Sequence, residues 1–170
     1  MHTSTTPLPP LLRPATEKDL VAINAIYNYY VLHSTCTYQL EPETEHDREA
    51  WFKNRSEKHP VIVAELGQRI VGWGALNPYH KRAAYSRTVE NSVYVESDMH
   101  RKGVGALILV DLLRLAKGHG HHTVIAVIDA EQPASVAIHA KHGFTQVGHF
   151  RELGWKFDKW RDVIYMQRMV

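Results

Sequence analysis

Cysteine is nearly absent: Cys36 is the only one in 170 residues, so no disulfide closes within the chain and nothing in it asks for an oxidising compartment. Cytoplasm is the expected location. An excess of charge is missing too. Twenty Lys and Arg against eighteen Asp and Glu leave +2 with histidine neutral, too little for a dedicated nucleic-acid binder that must neutralise many phosphates, although a small anionic ligand stays allowed. No apolar run approaches the ~18 residues that span a bilayer, and the most apolar segment, Ala106 to Leu115, is interrupted by Asp111 and Arg114. Residues 1–10 lack both a basic n-region and an apolar core, so they read as a loose tail rather than a signal peptide. No internal repeat or Pro/Gly/Ser-rich linker divides the remainder, and one domain is expected over 11–170.

What is there is the composition of an ordinary globular protein, 44% hydrophobic and 22% charged. Leu11 to Ala15 reads as a short strand, and Thr16 with Asp19 three residues on starts a helix carrying Leu20, Ile23, Ile26, Tyr27, Tyr30 and Val31. A second helix is expected from Glu45 to Glu57, followed by a hairpin of Val61–Leu66 and Arg69–Leu76 around Gly67-Gln68. A strand from about Tyr85 to Val95 runs through a glycine turn into an apolar helix ending near Lys117. Thr123 to Ile128 is a continuous β-branched run suited to a central strand. A helix from Pro133 to His142 stops at Gly143, and strands over Phe144–Phe150 and Asp162–Met169 close the chain. The order βααβββαβαββ is that of a single α/β domain.

The segment richest in chemistry is Ser92 to Ala106, where Arg101-Lys102-Gly103-Val104-Gly105 joins strand to helix. Glycine lets backbone N–H groups approach a phosphate closely, the helix N-terminus adds partial positive charge, and Arg101 and Lys102 add formal charge. The turn lacks the third glycine of a dinucleotide fold, since Ile108 stands there, and the Gly-Lys-Ser/Thr of a nucleotide P-loop. A pyrophosphate bound without those signatures points to coenzyme A. By itself a Gly-x-Gly turn more often merely bends the chain.

With a second segment downstream, Ser135, His139 and Gly143-Phe144, the sequence resembles the GNAT superfamily of N-acetyltransferases. Within it, the chain is similar to the phosphinothricin and methionine sulfoximine/sulfone acetyltransferase branch through Ile26-Tyr27-Asn28, Arg82, Ala84-Tyr85, Thr88-Val89-Glu90, Ser92 to Val95, Gly154, Lys156-Phe157 and Trp160. The resemblance implies the GNAT fold, a mixed and mostly antiparallel sheet flanked by helices. It also implies acetyl-CoA as co-substrate, a small-molecule amine as acceptor and a homodimer. Two positions depart from the pattern: His100 stands where Gln or Arg opens the turn, and Gln132 where Asn is usual.

Transfer to an amine needs a base, because a free amino group is mostly protonated near neutral pH. The resemblance assigns that role to Glu90 and makes His139 an acid, an assistant base or an orienting group, with Tyr94 as a further catalytic candidate. The superfamily bulges this strand, freeing backbone groups of Val93 and Val95 for the pantetheine arm and the thioester carbonyl. Arg101, Lys102, Gly103, Val104, Gly105, Ala106, Gln132 and Ser135 complete the expected coenzyme site. Arg82 and Tyr85 are implied acceptor contacts, a guanidinium suiting a carboxylate or phosphinate, and Tyr38 lies near an aromatic position of the acceptor pocket. His119, His121 and His122 lack a Cys or Glu that would complete a ligand frame, so no metal is expected. Rival readings are an acetyltransferase for a polyamine or a protein N-terminus, and a coenzyme-binding regulator without turnover.

Overall fold

The computed structural model describes residues 9–170; residues 1–8 of the expected tail lie outside the described residues. The chain opens with β1 (Leu11–Pro14), whose Arg13 forks onto the Asp19 carboxylate at 2.8 and 2.9 Å and reaches Glu65 at 2.5 Å. Asp19 also accepts from the Thr16 N–H at 2.8 Å, closing the predicted capping box ahead of α1 (Leu20–His33). Next come α2 (Glu45–Lys53), β2 (Val61–Leu66), β3 (Arg69–Pro78), β4 (Thr88–Val95) and α3 (Val104–Gly118). The last elements are β5 (Thr123–Asp129), α4 (Pro133–Lys141), β6 (Thr145–Lys156) and β7 (Lys159–Met169).

The seven strands form one sheet in the order β1-β2-β3-β4-β5-β7-β6, parallel at β4–β5 and antiparallel at the other junctions. Strand alternation sorts the side chains into two layers. Val61, Val63, Trp73 and Ala75 bury against Leu20, Ile23, Ile26 and Tyr30 of α1 on one face. Ile62, Ala64, Leu76, Val89, Val124 and Ala126 bury against α3 on the other, where Val136 and Ile138 of α4 also pack. A Cβ at Gly74 would sit 2.5 Å from Ile108 and 2.9 Å from Leu112, so its missing side chain is what lets α3 lie close on β3. No helix among the described residues is long and apolar enough to cross a membrane.

Several boundaries differ from the sequence reading. The second helix stops at Lys53, because the Arg55 side chain turns back to the carbonyls of His59 and Leu76 and to Asn77 Oδ1, holding the following segment against the end of β3. β4 begins at Thr88, since Ala83–Tyr85 form a single 3₁₀ turn. The closing strands are longer than expected and meet in a tight turn at Phe157 and Asp158, both at φ 53°. The expected bulge is absent from the β3–β4 ladder, whose register runs unbroken from Gly72↔Val95 to Pro78↔Val89. What opens β4 is its other edge.

Candidate active site

β4 and β5 pair only at Thr88–Glu90 against Thr123–Ile125. Beyond Glu90, β4 stays with β3 while β5 goes on with β7, so residues 91–95 present a backbone edge without a strand partner. The strands part around a cavity of about 760 Å³. It is bounded by both strands, the N-termini of α3 and α4, and the segment after α1. Because register is a property of pairs of strands, this gap was not legible in either strand alone.

At one end of the cavity lies the glycine turn. Arg101 (φ 59°) and Gly103 (φ 82°) both take the left-handed conformation, a cost of roughly 1–2 kcal/mol for a residue with a side chain such as Arg101 and none for glycine. The resulting curl leads directly into α3, whose first N–H groups, on Val104, Gly105 and Ala106, have no acceptor inside the helix. Such a curl ahead of a 15-residue helix is a nest for an anion, and Arg101 lines it; the arrangement fits a pyrophosphate. Lys102 stands outside the cavity lining, its Nζ beside Met99 Sδ at 3.8 Å. His100 is exposed, yet its ring stacks on Tyr30 at 6.1 Å and Nε2 faces the Tyr30 hydroxyl and the Val95 carbonyl. The same carbonyl accepts from Tyr30. His100 therefore finishes the end of β4 at the mouth of the turn.

On the α1 face, Glu90 and Tyr94 project with Ser92 between them, as an unbroken strand requires. Burial alone pushes the Glu90 carboxyl upward from the ordinary carboxylate range, with no charged group among the described residues offsetting it. Tyr94 stacks on Trp73 at 4.9 Å and meets Tyr27 edge-on at 5.3 Å. Its burial raises the phenol well above its usual value, so it stays protonated. Tyr38, expected near the acceptor, lines the cavity and donates to Asp129 at 2.6 Å. Nearby Cys36 is also raised by burial, which keeps it an unreactive thiol.

On the opposite face, His139 is 5% exposed and held from three sides. Its Nδ1 lies 2.7 Å from the Ser135 carbonyl, its Nε2 lies 2.9 Å from Asn91 Nδ2, and Phe144 meets its ring edge-on at 4.9 Å. Burial lowers its pKa. Gln132 caps α4 and donates to Ser34 Oγ and Thr35 Oγ1 at 3.3 and 3.1 Å, fastening the segment after α1 across the cavity. Val93, Val95 and Ser135 line the same space.

The structure thus gathers Glu90, Tyr94, His139, Tyr38, the coenzyme candidates on β4 and α4, and the turn around one cavity, leaving out Arg82, Tyr85 and Lys102. Arg82 is exposed, and Tyr85 is 42% exposed on the loop before β4, against Tyr79 and His80. Asn91, Thr35 and Asp129 were not anticipated; their partners are distant in sequence, and nothing local marks them. Among the described residues no three His, Cys, Asp or Glu side chains converge as they would on a metal ion.

Comparison with known proteins bears on this geometry. Residues 24–144 match the model of the acetyltransferase (GNAT) family. A phosphinothricin N-acetyltransferase of Streptomyces coelicolor is 33% identical over 161 residues, 92% of this chain and 94% of that one. An L-methionine sulfoximine/L-methionine sulfone acetyltransferase of Pseudomonas aeruginosa is 33% identical over 158 residues, 92% of each. Among solved structures, a GNAT superfamily phosphinothricin acetyltransferase from Sinorhizobium meliloti in complex with acetyl-CoA superposes with a TM-score of 0.92 at 30% identity, over 96% of this chain and 89% of that one.

Proposed function

The chain belongs to the acetyltransferase (GNAT) family and is an acetyl-CoA-dependent N-acetyltransferase, and from that premise we propose that its acceptor is the α-amino group of a small amino acid analogue of the phosphinothricin, methionine sulfoximine or methionine sulfone type. The observation that carries the reading is the gap between β4 and β5. It joins an anion nest on the α3 side to an uncompensated carboxyl, Glu90, on the α1 side.

In this reading, Arg101 and the N–H groups of Gly103 to Ala106 hold the pyrophosphate, with Lys102 adding charge nearby. The pantetheine arm follows the free edge of β4 at Val93 and Val95, with Gln132 and Ser135 on the far wall, and a backbone N–H of that edge polarises the thioester carbonyl. The acceptor enters from the α1 face. Glu90 takes a proton from its ammonium form, directly or through one water, and the free amine attacks the thioester carbon in a ternary complex. The upward shift of Glu90, caused by its burial, makes it a stronger base than a free carboxylate. Tyr94 keeps a proton to donate toward the reacting groups, and His139 orients or assists from the other face.

Tyr38 walls the acceptor end, and Arg82 and Tyr85, on the loop leading into β4, meet the anionic tail of an acceptor that extends beyond the cavity. The working unit is the domain of residues 11–170, placed in the cytoplasm, as a homodimer. Support for the dimer comes from the edge strand β6 and its hairpin, where Val147, Phe150, Leu153, Trp155, Phe157 and Trp160 are each about half exposed.

The test is release of coenzyme A thiol from acetyl-CoA across a panel of phosphinothricin, methionine sulfoximine, methionine sulfone, ordinary amino acids and polyamines, with no-acceptor controls. Selective turnover of the phosphinic and sulfur analogues is expected. Preference for polyamines or for ordinary amino acids would overturn the acceptor assignment.

A further inference from the structure

The residue that the site depends on without any assigned part is Asn91. It is 8% exposed, stands next to Glu90 on β4, and points to the opposite face, toward α4. Its partner His139 touches two polar groups of known character. The Ser135 carbonyl, 2.7 Å from Nδ1, can only accept, so Nδ1 carries a proton. At Nε2, 2.9 Å away, stands the amide of Asn91.

Two orientations of that amide are conceivable, and they are not equivalent. With Nδ2 toward the ring, Asn91 donates to an unprotonated Nε2, His139 is neutral, and the atom without a partner is the acceptor Oδ1. With the amide reversed, Nε2 would also need a proton, making a buried imidazolium with no carboxylate beside it, and the unpaired group would be an NH₂ carrying two donors. An unpaired buried donor and an unpaired buried charge each cost more than an unpaired carbonyl lone pair. The first orientation therefore holds.

We propose that Asn91 is a positioning residue that keeps His139 as the uncharged Nδ1–H tautomer, with its amide covering the nitrogen that faces β4. The proposal rests on the acetyl-transfer reading for its consequence. A histidine so held has no proton on Nε2 to give to the leaving sulfur. In the transfer, Glu90 has taken the ammonium proton before attack; the N–C bond then forms as the C–S bond breaks, and the proton that the nitrogen sheds after attack passes, directly or through water, to the departing thiolate, so charge and atoms balance without an acid at position 139. His139 then acts as a fixed strut between Ser135 on α4 and Asn91 on β4, across the gap that the thioester must occupy.

The experiment is a long-range ¹H–¹⁵N spectrum of histidine-labelled protein at neutral pH, with His139 assigned by its loss in His139→Gln. The expected spectrum shows one ring proton, on Nδ1, and an Nε2 shifted by accepting a hydrogen bond. A proton on Nε2, or on both nitrogens, overturns the proposal. Asn91→Leu is expected to remove the hydrogen-bond shift, and Asn91→Asp to convert the ring to imidazolium. Unchanged spectra in both would contradict the contact. Kinetically, Asn91→Leu should lower kcat about tenfold with KM for either substrate within about twofold, and should have no further effect in the His139→Gln background, since the two act as one unit. Additive losses would overturn that coupling. The wild-type spectrum decides the tautomer by itself, so a variant that failed to fold would not shield the proposal. It needs no turnover either, so silence of the enzyme toward every acceptor would count against the proposed function and leave the tautomer assignment standing.

Discussion

Gly154 bears no side chain because Tyr38 occupies the place: a Cβ there would lie 2.3 Å from Cε2 of the ring. The ring is held in turn by its hydrogen bond to Asp129, itself 4% exposed. Gly154→Ala is therefore expected to push Tyr38 away from Asp129, raising KM for the acceptor about tenfold, the equivalent of ~1.4 kcal/mol, while KM for acetyl-CoA stays unchanged. Steady-state kinetics with each substrate varied separately checks this. Sequence pattern pointed to Tyr38 and Gly154 separately and never to their contact, which spans 116 positions by subtraction of their numbers. The contact of Asn91 with His139, 48 apart, left no local trace either, and there only His139 was marked by the pattern. Resemblance locates residues one at a time, whereas a site is made of pairs, and pairs distant in sequence leave no local trace. Arg82 and Tyr85 show the converse: a motif position named them, and the fold puts them on the exposed loop outside the cavity lining.

At the scale of elements, the order of strands and helices was legible because each carries its own period and its own caps. Asp19 is an example, since one carboxylate serves the cap of α1 and the fork from Arg13 on β1. The Arg13 hydrogen bonds, with those from Thr16, hold its pKa down to about 2. A carboxyl depressed in the folded state stabilises above its unfolded value near 3.9 and loses that contribution as pH falls through the folded one. Asp19→Asn should accordingly lower Tm by several degrees at neutral pH, for a loss of about 1–2 kcal/mol, and the gap from wild type should narrow between pH ~4 and ~2. Thermal melts followed by circular dichroism at several pH values test the window.

The glycine turn makes a second prediction at this scale. Gly103→Ala forces a side chain into φ 82° and is expected to raise KM for acetyl-CoA about tenfold, with KM for the acceptor little changed. Less legible was the extent of β6 and β7. Register shifts between Gln146 and Gly148 and between Phe150 and Gly154 break the alternation on which a sequence reading depends. The β4–β5 gap was invisible for a related reason: a continuous β-branched run says that β5 is buried, and says nothing of where its neighbour leaves it.

For the molecule as a whole, the two ends of the sheet differ. Leu11 on β1 is exposed by itself, whereas the β6–β7 hairpin carries an apolar surface with Trp155 and Trp160 paired edge-on at 5.2 Å and each about half exposed. If that surface joins two copies, light scattering should give twice the mass of the 19.5 kDa chain, and Val147→Asp with Trp160→Glu should give the single mass with secondary structure intact. A monomeric wild type would remove the dimer from the account. The most direct test of the central claim, that Glu90 is the base at the sheet gap, is the pH profile of kcat/KM for phosphinothricin in wild type and Glu90→Gln. Since the base must be ionised and burial raises its pKa, activity should fall on the acid side through a value above the ordinary carboxylate range. In Glu90→Gln that limb should vanish with a loss of about 10²–10⁴ in kcat/KM, the folded spectrum being unchanged. A variant that turns over within a few-fold of wild type, with the same acid limb, would contradict it.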